Sequence, residues 1–142
     1  MLFVLDLQAD RVMPVPGSWG RWFPRLSPDG RYLAAIVNLR NVVVFDFKTR
    51  RWMELASGEE FYWPSWSQDS QYVYFIDWKT ESGVYDRVGI RDLKRERVAK
   101  LDRELAVDIF GGGWVGLTPD GAPLAVILDS PAEVFAFDWR AP

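Results

Sequence analysis

The chain has 142 residues, 49% apolar and 26% charged, with a formal net charge of −3, the balance of a globular domain long enough to bury its own core. It contains neither histidine nor cysteine, which excludes disulfides, thiolate nucleophiles, thiolate or imidazole metal sites and any Ser-His-Asp triad within these residues. The mild acidity argues against a phosphate-binding surface, and the unusual feature is an aromatic content of 15% that includes eight tryptophans.

In chain order, the apolar run Met1-Leu2-Phe3-Val4-Leu5 is cut short by Asp6, with no basic region and no cleavage site, so it reads as a strand and not as a secretory signal. A polar turn leads to a second short strand, Arg11-Val12-Met13-Pro14-Val15. Next comes a block running from Phe23 to Ile36 around Leu26-Ser27-Pro28-Asp29-Gly30. Its centre is a tight turn: proline presets φ, aspartate bonds nearby backbone and glycine accepts a left-handed φ. The runs Tyr32 to Val37 and Val42 to Phe47 are β-branched and aromatic, as strands require. Asp46-Phe47-Lys48-Thr49-Arg50-Arg51-Trp52 then repeats the pattern of Asp6 to Val12, an aspartate closing a strand, a polar turn and an arginine opening the next.

The first block returns ungapped forty residues later as Trp63 to Ile76, with Gln68 and Ser70 in place of proline and glycine, so the second turn places serine where left-handed backbone is needed. The aspartate block returns at Asp92 to Leu101. Ile90, Leu93, Val98, Leu101 and Leu105 lie near helical spacing there, but the match to Asp46 to Leu55 favours strands. The first block appears a third time, more loosely, from Trp114 to Ile127, and the aspartate block begins a fourth time at Asp138-Trp139-Arg140. Periods of 40 to 51 residues, each with four short strands, point to an all-β partial β-propeller of about three four-stranded antiparallel blades. Residues 1-16 make a half blade, 17-56 and 57-102 two full blades, and 103-142 an incomplete one. The strands of a blade are labelled A and B on either side of the Ser-Pro-Asp-Gly turn, C ending on the aspartate, and D from the arginine.

These blocks resemble the TolB-like propeller repeat, whose blades carry an aromatic-Pro-x-Trp-Ser-Pro-Asp-Gly turn, a strand and an Asp-Leu ending; Trp63-Pro64-Ser65-Trp66-Ser67 and Leu26-Ser27-Pro28-Asp29-Gly30 match it best. The segment Trp114 to Trp139 looks like the tail of propellers at the C-terminus of large bacterial regulators, behind a winged-helix or kinase domain. The resemblance therefore implies a segment of a longer propeller, or copies that assemble into a ring, because three blades fall short of the roughly four to eight that close one.

The second-block aspartate follows the first-block isoleucine by 10, 16 and 11 residues, and the gaps before successive first blocks are 8, 8 and 13, whereas the A-B and C-D turns hardly vary. The B-C and D-A connections leave an antiparallel blade at the same end, so that end is the expected binding face. The candidate binding residues are Trp19, Arg21 and Trp22 before the first A strand, Arg40 in a B-C turn, Glu59, Glu60 and Tyr62 around the next D-A loop, and Trp78, Lys79 and Glu81 in the long B-C loop. Each large aromatic has an alternative place in the seam between blades. The recurring aspartates and Ser27, Ser67 and Thr118 read as turn residues, Gly111-Gly112-Gly113 lacks the Lys-Ser/Thr of a phosphate loop, and Lys94-Arg95-Glu96-Arg97 reads as a solvated edge. No catalytic or metal-ligating residue and no cofactor is expected. The expected function is a non-enzymatic module for protein interaction or ligand sensing, with a protein or small ligand on the loop-rich face, the remaining blades or a second copy as further partners, and neither nucleic acid nor membrane insertion. The alternatives are the gating propeller of a prolyl-oligopeptidase-type hydrolase whose catalytic domain lies elsewhere, and a carbohydrate or peptide binder using the tryptophans.

Overall fold

A computed structural model describes residues 1-78, 83-100 and 115-125. The strands of blade 1 are β3 (Arg21–Leu26), β4 (Tyr32–Val37), β5 (Asn41–Asp46) and β6 (Arg51–Ser57); those of blade 2 are β7 (Phe61–Trp66), β8 (Tyr72–Asp77), β9 (Val84–Gly89) and β10 (Arg95–Lys100). Each set forms one four-stranded antiparallel sheet in sequence order. Before them, β1 (Phe3–Asp6) pairs with β2 (Arg11–Pro14) as a C-D hairpin, and after them β11 (Val115–Leu117) pairs with β12 (Pro123–Ala125) as an A-B hairpin. The all-β architecture in propeller-like blades is the one expected.

The middle strands β4, β5 and β8 each bury four consecutive residues, because a blade inside a stack is covered on both faces. The A-B turns follow the repeat. Ser27 Oγ donates to Asp29 Oδ1 at 2.5 Å and accepts from Tyr32 N, while Asp29 accepts from Arg31 N; Ser67, Asp69, Gln71 and Tyr72 repeat this arrangement. The A strands share a second device. Phe23 and Trp63 both take a left-handed φ of 54° at a bulge, so each A strand changes face at its aromatic-proline step.

The seam between the two full blades is the main core. Ala34, Ile36, Val42, Val44 and Leu55 of blade 1 pack against Phe61, Trp66, Val73, Phe75, Val88 and Ile90 of blade 2. Along the inner strands, Phe23 meets Trp63 at 4.8 Å and the edge of Tyr62 at 6.2 Å. Trp66 stacks on Tyr32 and donates Nε1 to the Arg25 carbonyl at 2.9 Å. Ser70 takes the left-handed φ, 59°, and its buried Oγ accepts from Asp29 N at 3.2 Å. The departure from glycine thus supplies a bond between blades.

One detail of the repeat is corrected. The sequence match sets Asp92 opposite Asp46, but Tyr32 pairs with Asp46 whereas Tyr72 pairs with Gly89, so Gly89 is the structural counterpart of Asp46 and Asp92 lies three residues out in the turn. The carboxylate nevertheless returns to the strand end, where a side chain on Gly89 would run into it. Asp92 accepts from Lys94 N, as Asp46 does from Lys48 N and Thr49 N, and Asp6 from Gln8 N and Ala9 N. The near-helical spacing across this region is overridden by the pairing of β10 with β9. Strand β10 also carries Arg95, whose guanidinium lies 2.6 Å from the Asp77 carboxylate and 2.7 Å from that of buried Asp86, and 5.0 and 5.2 Å from the Phe61 and Phe75 rings. A charge sits inside blade 2 only because its opposite is supplied there.

Candidate functional site

The loop-rich end is assembled by backbone bonds between connections. Asn38 and Leu39 turn β4 into β5 through consecutive left-handed residues, φ 52° and 57°, a tight hairpin turn that Arg40 closes by donating its N–H to the Val37 carbonyl at 2.9 Å. Leu39 packs on the main core beneath the turn. Phe61 N donates to the Leu39 carbonyl at 2.5 Å, Gly58 N to the Arg40 carbonyl at 2.8 Å, and Trp78 N to the Glu60 carbonyl at 2.9 Å. The B-C turn of blade 1, the D-A loop after it and the start of the next B-C loop therefore form one stitched surface.

That surface brings together five of the residues singled out in the sequence. Arg40 and Glu59 are exposed, and Glu60 is half-buried. Tyr62 is buried; its hydroxyl donates to Glu60 Oε1 at 2.9 Å, and burial, helped by the Glu60 charge, pushes its pKa up to about 12. Tyr62 thus fixes Glu60 from below instead of presenting its own ring. Trp78 lies half-buried against the cluster of Tyr74, Ile76 and Tyr85. The arrangement can offer a guanidinium, carboxylates and an indole edge on a rigid base, which suits a polar ligand with an apolar part.

Trp19, Arg21 and Trp22 form a separate group. Arg21 Nη1 donates to the carbonyls of Gly17 and, at 3.2 Å, Trp19, and its guanidinium lies 4.1 Å from the centre of the Trp52 ring. Burial lowers the Arg21 pKa, and these contacts tie the loop before β3 onto β6. Trp19 is 75% exposed and Trp22 62%. Trp22 occupies the repeat position of Tyr62, so its exposure reflects what lies beside β3, not its own register. Lys79 and Glu81 lie outside the described residues.

At the opposite end, between the turns 67-71 and 118-121, is a cleft of about 480 Å³ that the sequence did not single out, with Ser67, Asp69, Tyr74, Arg87 and Asp120 in its wall. Arg87 is held there by Glu96 at 2.8 Å and lies 4.4 Å from the Tyr72 ring centre. The available signal was a charged pair, Asp86-Arg87, inside an otherwise apolar C strand.

No protein-family model matches the sequence, and no curated protein is significantly similar to it. Solved structures do match. TolB from Acinetobacter baumannii superposes with a TM-score of 0.63 at 18% identity over 84% of this chain and 29% of that one. Oligogalacturonate lyase from Vibrio parahaemolyticus gives 0.58 at 15% identity over 69% of this chain and 33% of its own, and the dihydro-heme d1 dehydrogenase NirN gives 0.56 at 20% identity over 89% and 28%. The chain spans about a third of the length of these structures. Two complete four-stranded blades flanked by a C-D and an A-B hairpin, in the likeness of these structures, give the chain the fold of a partial β-propeller.

Proposed function

We propose that this chain is a non-enzymatic recognition module, the propeller segment of a larger protein, which binds a protein or a small ligand on its loop-rich end. The observation that carries this reading is the set of three backbone bonds joining residues 39 and 61, 40 and 58, and 60 and 78, because they hold Arg40, Glu59, Glu60 and Trp78 in one preorganised surface. A binding surface needs that rigidity more than it needs any single residue. The absence of histidine and cysteine from the whole chain supports the non-enzymatic part, since the usual nucleophile-base pairs require one of them. The net charge of −3 supports a protein or small-molecule partner over nucleic acid.

The test is a screen of peptide and glycan arrays with the full chain, followed by Arg40→Ala and Trp78→Ala. The reading expects a hit whose affinity falls by roughly tenfold or more in both variants. A ligand bound with unchanged affinity by both would place the site elsewhere. Turnover of peptide, ester or uronate substrates that co-purifies with the chain and is lost on substitution of one of its residues would overturn the non-enzymatic assignment.

A further inference from the structure

The repeat that relates blade 1 to blade 2 continues into the β11-β12 hairpin, so the two seams can be compared position by position at the end that carries the A-B turns. In the first seam this end is closed. Trp66 stacks on Tyr32 with ring centres 6.0 Å apart, and Ser70, 2% exposed, accepts from Asp29 N at 3.2 Å. Behind them Ala34 and Val44, opposite one another on β4 and β5, present small aliphatic side chains to the core. In the second seam Tyr72 keeps the place of Tyr32, but Leu117 stands for Trp66, Gly121 for Ser70, and the opposed pair is Tyr74 and Arg87. Glycine brings no hydroxyl to Asp69 N, and a Cβ on Gly121 would meet no heavy atom within 4 Å. Tyr85 ties β11 to blade 2 through the Gly116 carbonyl at 3.1 Å, while the cleft of about 480 Å³ opens between the two turns.

The wall of this cleft carries both signs of charge, each with bonding capacity to spare. Arg87 gives Nε and Nη2 to one oxygen of Glu96, at 3.0 and 2.8 Å, and among the described residues its Nη1 reaches only the Tyr74 hydroxyl, at 3.4 Å. Asp69 and Asp120 each engage Oδ1 within their own turn, with Ser67 and Gln71 N in one and Thr118 in the other, and neither makes an ion pair among the described residues. The hydroxyls and backbone N–H groups that hold both carboxyls below the ordinary carboxylate range keep them ionised at neutral pH. A purely cationic ligand would meet Arg87 and a purely anionic one would meet two carboxylates, so the wall discriminates against both. A ligand that carries both charges on a short frame answers both, and the volume is that of a small-molecule site. We propose that this cleft binds a small zwitterion, a free amino acid, with its ammonium group on the Asp69 and Asp120 carboxylates and its carboxylate on Arg87 Nη1. The site lies at the opposite end of the blades from Arg40, Glu60 and Trp78 and is independent of that surface.

Titration calorimetry of the full chain with each proteinogenic L-amino acid in turn tests this. At least one is expected to bind at a single site. Its α-decarboxylated amine and its Nα-acetyl derivative, each lacking one of the two α charges, should bind more weakly by roughly tenfold or more. Asp120→Asn removes the charge but keeps the oxygen that Thr118 bonds, and should weaken binding by a similar factor. Asp29→Asn, the same change in the turn of the closed seam, should leave binding unaltered. Leu117→Trp, which returns the indole of the first seam, should abolish binding with circular dichroism unchanged. No binding by any amino acid, equal binding of the amine or of the acetylated form, or an Asp120→Asn variant that binds as the parent does overturns the proposal, and these comparisons stand even where Leu117→Trp fails to fold.

Discussion

Ser70 joins two opposing effects at one residue, and three substitutions separate them. In Ser70→Ala the left-handed backbone and its strain persist while the bond from Asp29 N is lost, at a cost of about 1 kcal/mol. In Ser70→Gly the same bond is lost, but about 1.5 kcal/mol of left-handed strain is relieved and roughly 0.75 kcal/mol of backbone entropy opposes that relief, so the net change is within about 0.5 kcal/mol of zero. The mirror experiment is Gly30→Ser at the matching turn of blade 1. Gly30 has a φ of 71° and no heavy atom within 4 Å of where a Cβ would stand, so the hydroxyl has nothing to bond and the substitution costs about 1 kcal/mol. Urea unfolding followed by tryptophan fluorescence reads these differences. With a slope near 2 kcal/mol/M, 1 kcal/mol moves the midpoint by about 0.5 M. Ser70→Ala as stable as the parent would refute the inter-blade bond, and Ser70→Gly falling as far as Ser70→Ala would refute the strain argument.

Arg95→Met should destabilise by up to about 3–5 kcal/mol, because it leaves the Asp86 carboxylate, 2% exposed, with the longer 3.6 Å contact to Arg97 in place of two close bonds; thermal unfolding within about 1 kcal/mol of the parent would show that the pair is dispensable. Gly89→Ala should cost about 1–3 kcal/mol through collision with the Asp92 carboxylate, and in a double-mutant cycle Asp92→Ala should recover a large part of that loss; strict additivity would sever the link. The Asp29, Asp69 and Asp120 carboxyls are held below the ordinary carboxylate range, first by the Ser27, Ser67 and Thr118 hydroxyls and then by backbone N–H groups. A carboxyl that is the stronger acid when folded adds stability that is fully present above about pH 4 and is lost as pH falls through its lower folded value. Stability should therefore fall below about pH 4, and less steeply in the Ser27→Ala, Ser67→Ala double variant; an unchanged acid slope in that variant would point to other carboxylates.

Much of the fold is written in residues that act locally. The Ser27-Pro28-Asp29-Gly30 turn and its ungapped return around Asp69 locate β3, β4, β7 and β8 because hydroxyl, carboxylate and backbone lie within five residues of one another. The end that carries the stitched loops was legible from where length varies, since a blade tolerates insertion only where no neighbour constrains the turn. Less legible was anything set by a neighbour in space. Trp22 and Tyr62 hold one position in the repeat yet differ from 62% to 3% exposure, because only Tyr62 has an inner strand packed beside it. Arg21 and Trp52 lie 31 residues apart in sequence, and nothing local predicts that the guanidinium crosses to that ring. The shift of Asp92 was hidden because aligning the aspartates hides the glycine that replaces one of them.

The seam between blades 1 and 2 also bears on how the chain reaches its structure. A single blade leaves a whole face of Ala34, Ile36, Val42 and Val44 without a counterpart, so the smallest self-supporting unit is a pair of blades. Its founding contacts, Trp66 to Arg25 and Ser70 to Asp29, each span 41 residues. Closing a loop of that length costs about 3 kcal/mol of chain entropy beyond a constant before any seam contact repays it. Folding should therefore be slow for a chain of this size and nucleate on the pair as a whole, with hydrogen exchange slowest in β4, β5 and β8 and fastest at the two terminal hairpins.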